Sequence, residues 1–461
     1  MQTIAIPAVR TPDILYSLKP QESHSRLPAH SNKRILVSWY TNPGYIPPFV
    51  LSENQITVGP KIIPDQQKMM FSCWTPWGAY DLRAALEENH IPADFDLIVV
   101  WADASRLNLP LNLQSFDCPK LLCLGDTHHL ATPLQTTLGY AIAARYDFIL
   151  SSHNRQHLHW FSEAGFTNVA WLPGLKVRHF PQPFQESRIS EVSFAGSVGD
   201  FHPRRTRILS ELSRHSIRVR TAHVPPEMAA QDYASSVVSF NASLNGDLNL
   251  RVFEILSAGG CLLTDRLSEE SGLDLILTEG QDFIAYDTAE ECIAQARDLL
   301  NHPHFAFDVA RKGHRKFLNR MLPQQRASEL LEWVFQGRLE SLFRMDQRFN
   351  PEADLNDRVR VYELLQELHR VTEAARILFI GDIPNVYISD ALDLRRLQLF
   401  VGGTDSGPQL SRQRKLAQRC TVVDREHMEE SAWDCIVTAR AADIPPSIRA
   451  LQSIEIAPRR G

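Results

Sequence analysis

Cysteine is sparse in this chain, and what there is lies scattered along it. Seven occur in 461 residues, at positions 73, 118, 123, 261, 292, 420 and 435, and none forms a C-x-x-C pair. An odd, scattered set of this kind argues against a disulfide framework or a zinc site and fits a reducing compartment. Long apolar runs are missing too. No stretch approaches the 18 or so residues that a membrane-spanning helix needs. The first 30 residues mix charge, proline and polar side chains, with no apolar core of signal-peptide length. A cytoplasmic location is therefore expected. Positive charge is not in excess either: 48 Lys+Arg stand against 54 Asp+Glu, a net charge of −6. Without a basic footprint, nucleic acid is not an expected partner.

What is present reads as a globular enzyme-sized chain. Hydrophobic residues make up 44% and charged residues 22%, and the length suits two or three domains, each with its own core. After a loose arm over 1–30, short buried runs alternate with helical spacing. "RILVSW", "FDLIVVWAD", "PKLLCLGD", "YDFILSSH" and "NVAWLP" are strand candidates, and "YDLRAALEENH" and "NRQHLHWFSEAG" are helical. Alternation of this kind predicts a parallel sheet covered on both faces. A proline-punctuated stretch, 173–190, reads as a linker. A second alternating series follows, running through "VSFAGS", a helix over 203–214, "IRVRTA", "VSFNAS", a helix near 250 and "CLLTD". The predicted organisation is an N-terminal unit over 31–178, a second unit over 190–345 and a smaller α/β segment over 351–461.

The stretch "SLNGDLNLRVFEILSAGGCLLTD", residues 243–265, poses a specific question. Its helix is apolar nearly all round, yet it keeps Arg251 and Glu254, three residues apart on one side. Ser257, Ala258, Gly259 and Gly260 then stop the helix before a buried strand. One reading is a surface ion pair between the two residues. The other is ligand binding: doubly wound sheets bind ligands at the carboxyl ends of their strands. There the amides of a helix starting near Asn249, with Arg251 in its first turn, would suit a diphosphate. Glu254, an acceptor only when ionised, would suit a vicinal diol such as a ribose. The apolar surroundings and the upstream glycine turn at Gly196 and Gly199 favour the ligand.

The run "NLRVFEILSAGGCLLTD", with Gly280 and Tyr286 downstream, resembles the CgeB-like glycosyltransferases, relatives of the group-1 glycosyltransferases with the two-domain GT-B fold. The upstream "FAGSVGDFHPRRTRILSEL" is similar to the same family's first strand, glycine turn and double arginine in that domain. The resemblance covers about 190–335. It implies a GT-B fold, two Rossmann-like units facing a cleft, and a nucleotide-sugar donor held by the second unit. Glu254 would then bond the donor ribose, with Asn249, Arg251, Gly196, Ser197, Arg204 and Arg205 around the diphosphate. In many relatives a second glutamate stands eight residues earlier; here that position is Gly246, followed by Asp247.

The N-terminal unit should hold the acceptor and any catalytic base. "LLCLGDTHHLATP" opens from a buried strand into Asp126, His128 and His129, and Asp126 and His128 are the candidate bases. A helix-capping Asp126 among solvated histidines is the alternative. The loop "SWYTNPGYIPP", with Gly44, lies at the same sheet edge. His153 and His157 have i, i+4 spacing but no third ligand in view, so a surface helix is preferred over a metal pair. No metal and no cofactor are expected, since GT-B enzymes stabilise the leaving diphosphate with amides and arginines. The third segment opens with "ARILFIGDIPN", which resembles a nucleotide-binding first strand but has only Gly381 and Asp382 where a G-x-G would stand. It reads as a docking module, with homo-oligomerisation through it as one option. The expected activity is sugar transfer from a nucleotide-diphosphate donor to a hydroxyl of a glycan, protein or small molecule. A GT-B epimerase and a non-catalytic sugar- or partner-binding protein are the rivals.

Overall fold

The computed structural model describes residues 32–39, 50–60, 71–128, 130–199, 202–345, 355–371, 375–380, 397–402, 420–423, 425–438 and 444–455. The arm 1–30, the loop with Gly44, and His129, Gly381 and Asp382 lie outside those residues.

Among the described residues, three large parallel sheets organise the chain, beside a two-stranded parallel pair of Gly78–Asp81 with Asn108–Leu111. The first runs Cys73–Thr75, Asn54–Pro60, Arg34–Ser38, Leu97–Ala102, Lys120–Leu124, Phe148–Ser151, Val169–Trp171. Every neighbour is parallel. Leu97, Ile98, Val99 and Val100 are all fully buried, which is why this strand is apolar without alternation: both sheet faces are covered. The outer strands Asn54–Pro60 and Cys73–Thr75 carry no such apolar run, and the sequence reading does not anticipate them. The second sheet runs Val219–Ala222, Ile189–Ala195, Ser236–Phe240, Leu262–Asp265, Ile284–Tyr286, again all parallel. In each sheet the strand order reverses beside its first strand, creating a crevice at the carboxyl edge. Between the two units, residues 173–188 contain neither helix nor strand.

The carboxyl edges of these two sheets face each other. Asn245, beyond strand Ser236–Phe240, donates its side-chain amide to the backbone oxygen of His128, beyond strand Lys120–Leu124, at 2.7 Å. This is the GT-B arrangement. The helix Pro323–Gln336 returns to the N-terminal unit, where Trp333 packs edge-on against Phe148 with ring centres 4.9 Å apart.

The third sheet runs Cys420–Val423, Leu397–Gly402, Ala375–Ile380, Trp433–Thr438, Ala450–Glu455. Its two faces have different neighbours, as period-2 alternation requires. Ile377, Phe379, Cys435 and Val437 join the same core as the N-terminal unit, together with Val359, Val361 and Tyr362. Leu378, Ile380 and Ile436 form a separate cluster with Met428 and Trp433. Val359, Val361 and Tyr362 belong to a helix, Leu355–Val371, that the sequence reading leaves unassigned. It lies against helices Pro133–Ala144 and Leu158–Glu163 of the first unit and Pro203–Arg214 of the second. Among the described residues, no helix is long and apolar enough to cross a membrane.

Candidate functional site

The helix in question spans Leu250–Ser257. Asn249 precedes it in extended conformation (φ −75°, ψ 164°), and Gly259, at φ +77°, turns the chain out beyond it. Val252, Phe253, Ile255 and Leu256 are fully buried. Gly260 is needed for the close packing that follows, since a Cβ there would stand 2.7 Å from Ser239 Oγ.

Arg251 and Glu254 form no ion pair with each other among the described residues. The Arg251 guanidinium turns to the sheet instead. Its Nε donates to the backbone oxygen of Ala195 at 2.8 Å and its Nη1 to Asn241 Oδ1 at 3.2 Å. It also lies over the Phe194 ring, 4.5 Å from its centre. Gly196, at φ +147°, gives it room, because a Cβ there would run into the guanidinium. Glu254 is half-buried and receives no hydrogen bond among the described residues. Burial pushes its carboxyl up from the ordinary range, and the charges of Arg251 and Arg178 pull against that. The Asn249 side chain does not cap the helix, and its buried Oδ1 has no hydrogen-bond partner among the described residues.

The two neighbouring arginines hold the loops in place. Arg204 donates to Asp265 at 2.9 Å, and the fully buried Asp265 also accepts from the backbone amide of Ser243 at 2.9 Å. Arg205 donates to the backbone oxygens of Ala242 (2.9 Å) and Ser197 (3.0 Å). Burial, then the charge of Arg251, lowers its pKa to about 10, against the pull of Asp247 and Asp265. The structure thus brings Gly196, Ser197, Arg204, Arg205, Asn249, Arg251 and Glu254 to one sheet edge.

Asp126 and His128 stand on the opposing edge. The Asp126 carboxylate, 41% exposed, bonds His153 Nε2 at 3.0 Å. It does not cap the next helix, whose first-turn amides at Leu134 (2.6 Å) and Gln135 (3.1 Å) donate to Glu363. His128 Nε2 is 3.4 Å from Asp247 Oδ2, and both side chains are buried. Where the resemblance leads one to look for a second glutamate, this chain therefore closes the two units on each other: Gln156 also donates to the backbone oxygen of Gly246 at 3.4 Å. His153 and His157 have separate partners, since His157 Nδ1 bonds Thr127 Oγ1 and its Nε2 bonds the Tyr362 hydroxyl, both at 2.6 Å. Among the described residues, Asp126, His128 and His153 form a group whose ligand atoms, all within 4.8 Å of one another, could hold a metal ion.

Sequence reasoning missed His153 as a partner of Asp126, and it missed Asp103 and Lys176. Lys176 is buried and donates to the backbone oxygen of Leu124 at 3.1 Å. Burial lowers its pKa, while Cys123 and the carboxylates of Asp126 and Asp103 oppose that. Burial raises the pKa of Asp103, and its bonds from Ser105 act against the rise. The signal for His153 was its place just past strand Phe148–Ser151, level with Asp126. Lys176 sits in the linker, where no periodicity could mark it.

Residues 187–332, about a third of the chain, match the family described as glycosyl transferase-like. No curated protein matches the chain. Among solved structures, the chain is similar to a glycosyltransferase from Rickettsia africae ESF-5 (8% identity, 67% of this chain and 100% of that one, TM-score 0.46). It is also similar to the sucrose-phosphate synthase of Thermosynechococcus elongatus (12%, 66% and 99%, TM-score 0.45). A third is HepE of Anabaena in complex with UDP and glucose (10%, 65% and 98%, TM-score 0.44).

Proposed function

We propose that the protein is a metal-independent, cytoplasmic glycosyltransferase of the CgeB-like branch, moving a hexose from a nucleotide-diphosphate donor to a hydroxyl. The observation that carries this is Glu254. A half-buried carboxylate with a raised pKa and no hydrogen bond from the described residues lies at the carboxyl edge of a doubly wound sheet. Burial of an unsatisfied carboxylate is costly, and two ribose hydroxyls would satisfy it. Asn249, with its own orphaned oxygen, begins the same helix. Ser197 and Gly196 would approach the diphosphate, and Arg251, Arg204 and Arg205 fix that approach. The match over 187–332 coincides with these residues.

On the facing edge Asp126 is the better base. It is accessible, and the bond from His153 Nε2 orients its carboxylate, whose free oxygen can take the acceptor proton. His128 is enclosed and acts on Asp247.

The test is a thermal-shift panel of nucleoside diphosphates and their hexose derivatives, followed by donor hydrolysis. Saturation at 100 times the dissociation constant would add about 2.7 kcal/mol of stability. Binding without hydrolysis or transfer would make the protein a non-catalytic binder. No shift with any nucleotide would remove the donor site altogether.

A further inference from the structure

Between the two units lies a cavity of about 490 Å³, within the ~300–1,000 Å³ range of small-molecule sites. One wall is the loop at His128, from the first unit, and a second is Asn245, from the loop that leads to the donor helix. The third wall belongs to neither unit. It is the helix Leu355–Val371, which contributes Arg360, Glu363, Leu364 and Glu367.

That helix is fixed rather than loosely laid on. Arg358, 1% exposed, forms an ion pair with the buried Glu163, and its guanidinium lies over the Trp160 ring. One turn on, Tyr362 bonds His157. The Glu363 carboxylate is bonded by the first-turn amides of helix Pro133–Ala144, so the place where that helix would attract an anion is already filled by the chain itself. Asn245 is buried, and its side-chain amide is held by the backbone oxygen of His128, which fixes this wall of the cavity.

We infer that this cavity receives the acceptor, that the acceptor is a neutral, hydroxyl-rich molecule such as a sugar or a glycan end, and that the helix Leu355–Val371 sets its specificity. The inference rests on the transferase reading above. Position supports it: His128 lies two residues beyond the candidate base Asp126, and Asn245 lies four residues before Asn249. Charge supports the ligand class, because two carboxylates and one guanidinium on the helix make a poor cradle for phosphate. Side-chain amide and carboxylate groups are good partners for hydroxyls.

The experiment uses the full chain and the nucleotide sugar that it hydrolyses. The probes are methyl glycosides of glucose, galactose, mannose and N-acetylglucosamine, with glucose 6-phosphate and mannose 6-phosphate as charged counterparts. At least one neutral glycoside is expected to accelerate release of the nucleoside diphosphate, and its phosphorylated counterpart is not. Leu364→Trp, which fills the cavity, should raise the KM of that glycoside at least 10-fold. Glu367→Ala, at an exposed position that also lines the cavity, should raise it several-fold, with the melting temperature of the variant measured alongside. In both variants the donor KM should stay within about twofold of wild type. Acceleration by the phosphosugars alone, by no probe, or by a glycoside whose KM neither variant alters would overturn the inference while leaving the transferase reading standing. A wild-type chain that turns over no nucleotide sugar at all would instead sink the transferase reading.

Discussion

The Arg251 guanidinium donates to Ala195 and Asn241, which leaves Glu254 without the partner that an i, i+3 pair would give it. Two consequences follow for Glu254→Gln. Nucleoside diphosphate binding should weaken by about 1.5–3 kcal/mol, the worth of hydrogen bonds to a charged group; calorimetry showing unchanged affinity would take Glu254 out of the donor site. The unliganded variant should at the same time unfold at a higher temperature than wild type. A carboxyl whose folded pKa is raised destabilises the folded state wherever it is ionised, so its cost is present at pH 7, shrinks as pH falls through the raised folded pKa, and is gone below the ordinary carboxylate value. Across the cleft, Asp126→Asn keeps the shape and the bond to His153 but removes the basic oxygen. Turnover should fall about 10²- to 10⁴-fold with donor affinity retained, and a near-wild-type rate would place the base elsewhere. His153 and His128 already face the carboxylates of Asp126 and Asp247. Activity should therefore survive excess EDTA, and loss that manganese restores would show that Asp126, His128 and His153 bind a metal after all.

At the scale of elements, the helix Leu355–Val371 has its firmest attachment at Glu163. Burial alone would raise the Glu163 pKa, but the bond from His159 and the guanidinium of Arg358 overcome this and hold it below the ordinary value. Because the folded pKa is depressed, the stabilisation is present above the unfolded value of about 4.3 and is lost as pH falls through the folded one. Arg358→Ala leaves a carboxylate buried without its cation, which should cost about 3–5 kcal/mol in chemical unfolding at pH 7. The difference from wild type should shrink in acid and vanish once pH has fallen through the depressed folded pKa, since a protonated Glu163 needs no cation. A difference that stays constant with pH would mean that the loss comes from packing over Trp160 and not from charge. The sequence does not reveal this helix, and the reason is physical. Val359 and Val361, two residues apart and so on different sides of the helix, are both fully buried, so its apolar residues do not form a single stripe. Helix Leu250–Ser257 was legible because its surroundings are uniformly apolar and glycines end it. The central strands were legible because burial on both faces leaves continuous apolar runs. Strand Asn54–Pro60, exposed at its start, has no such mark.

At the scale of the whole molecule, the donor residues fall inside 190–286, but the chain does not come apart at the same places. Local sequence patterns locate that set well, since each of its members lies within a strand–turn–helix unit. They cannot show that His128 meets Asp247, because that contact joins residues 119 positions apart on separate sheets. Nor can they show that the last sheet shares a core with the first unit: Ile377, Phe379, Cys435 and Val437 alternate with side chains that face the other way. Cutting the chain after residue 350 is therefore a test of both halves of the reading. The cut removes no residue of the proposed donor site, so nucleoside diphosphate affinity measured at low temperature should stay within a few-fold of wild type. It also removes the partners that Glu163 and His157 have on that helix and uncovers the amides that Glu363 occupies. The melting temperature should drop, by at least as much as for Arg358→Ala, and acceptor-dependent turnover should fall further than donor hydrolysis. A cut protein that folds yet binds no nucleotide would show that the last segment completes the donor site. A cut protein as stable as the full chain would show that the helix is only a neighbour, and the acceptor wall would then have to be sought in the first unit alone.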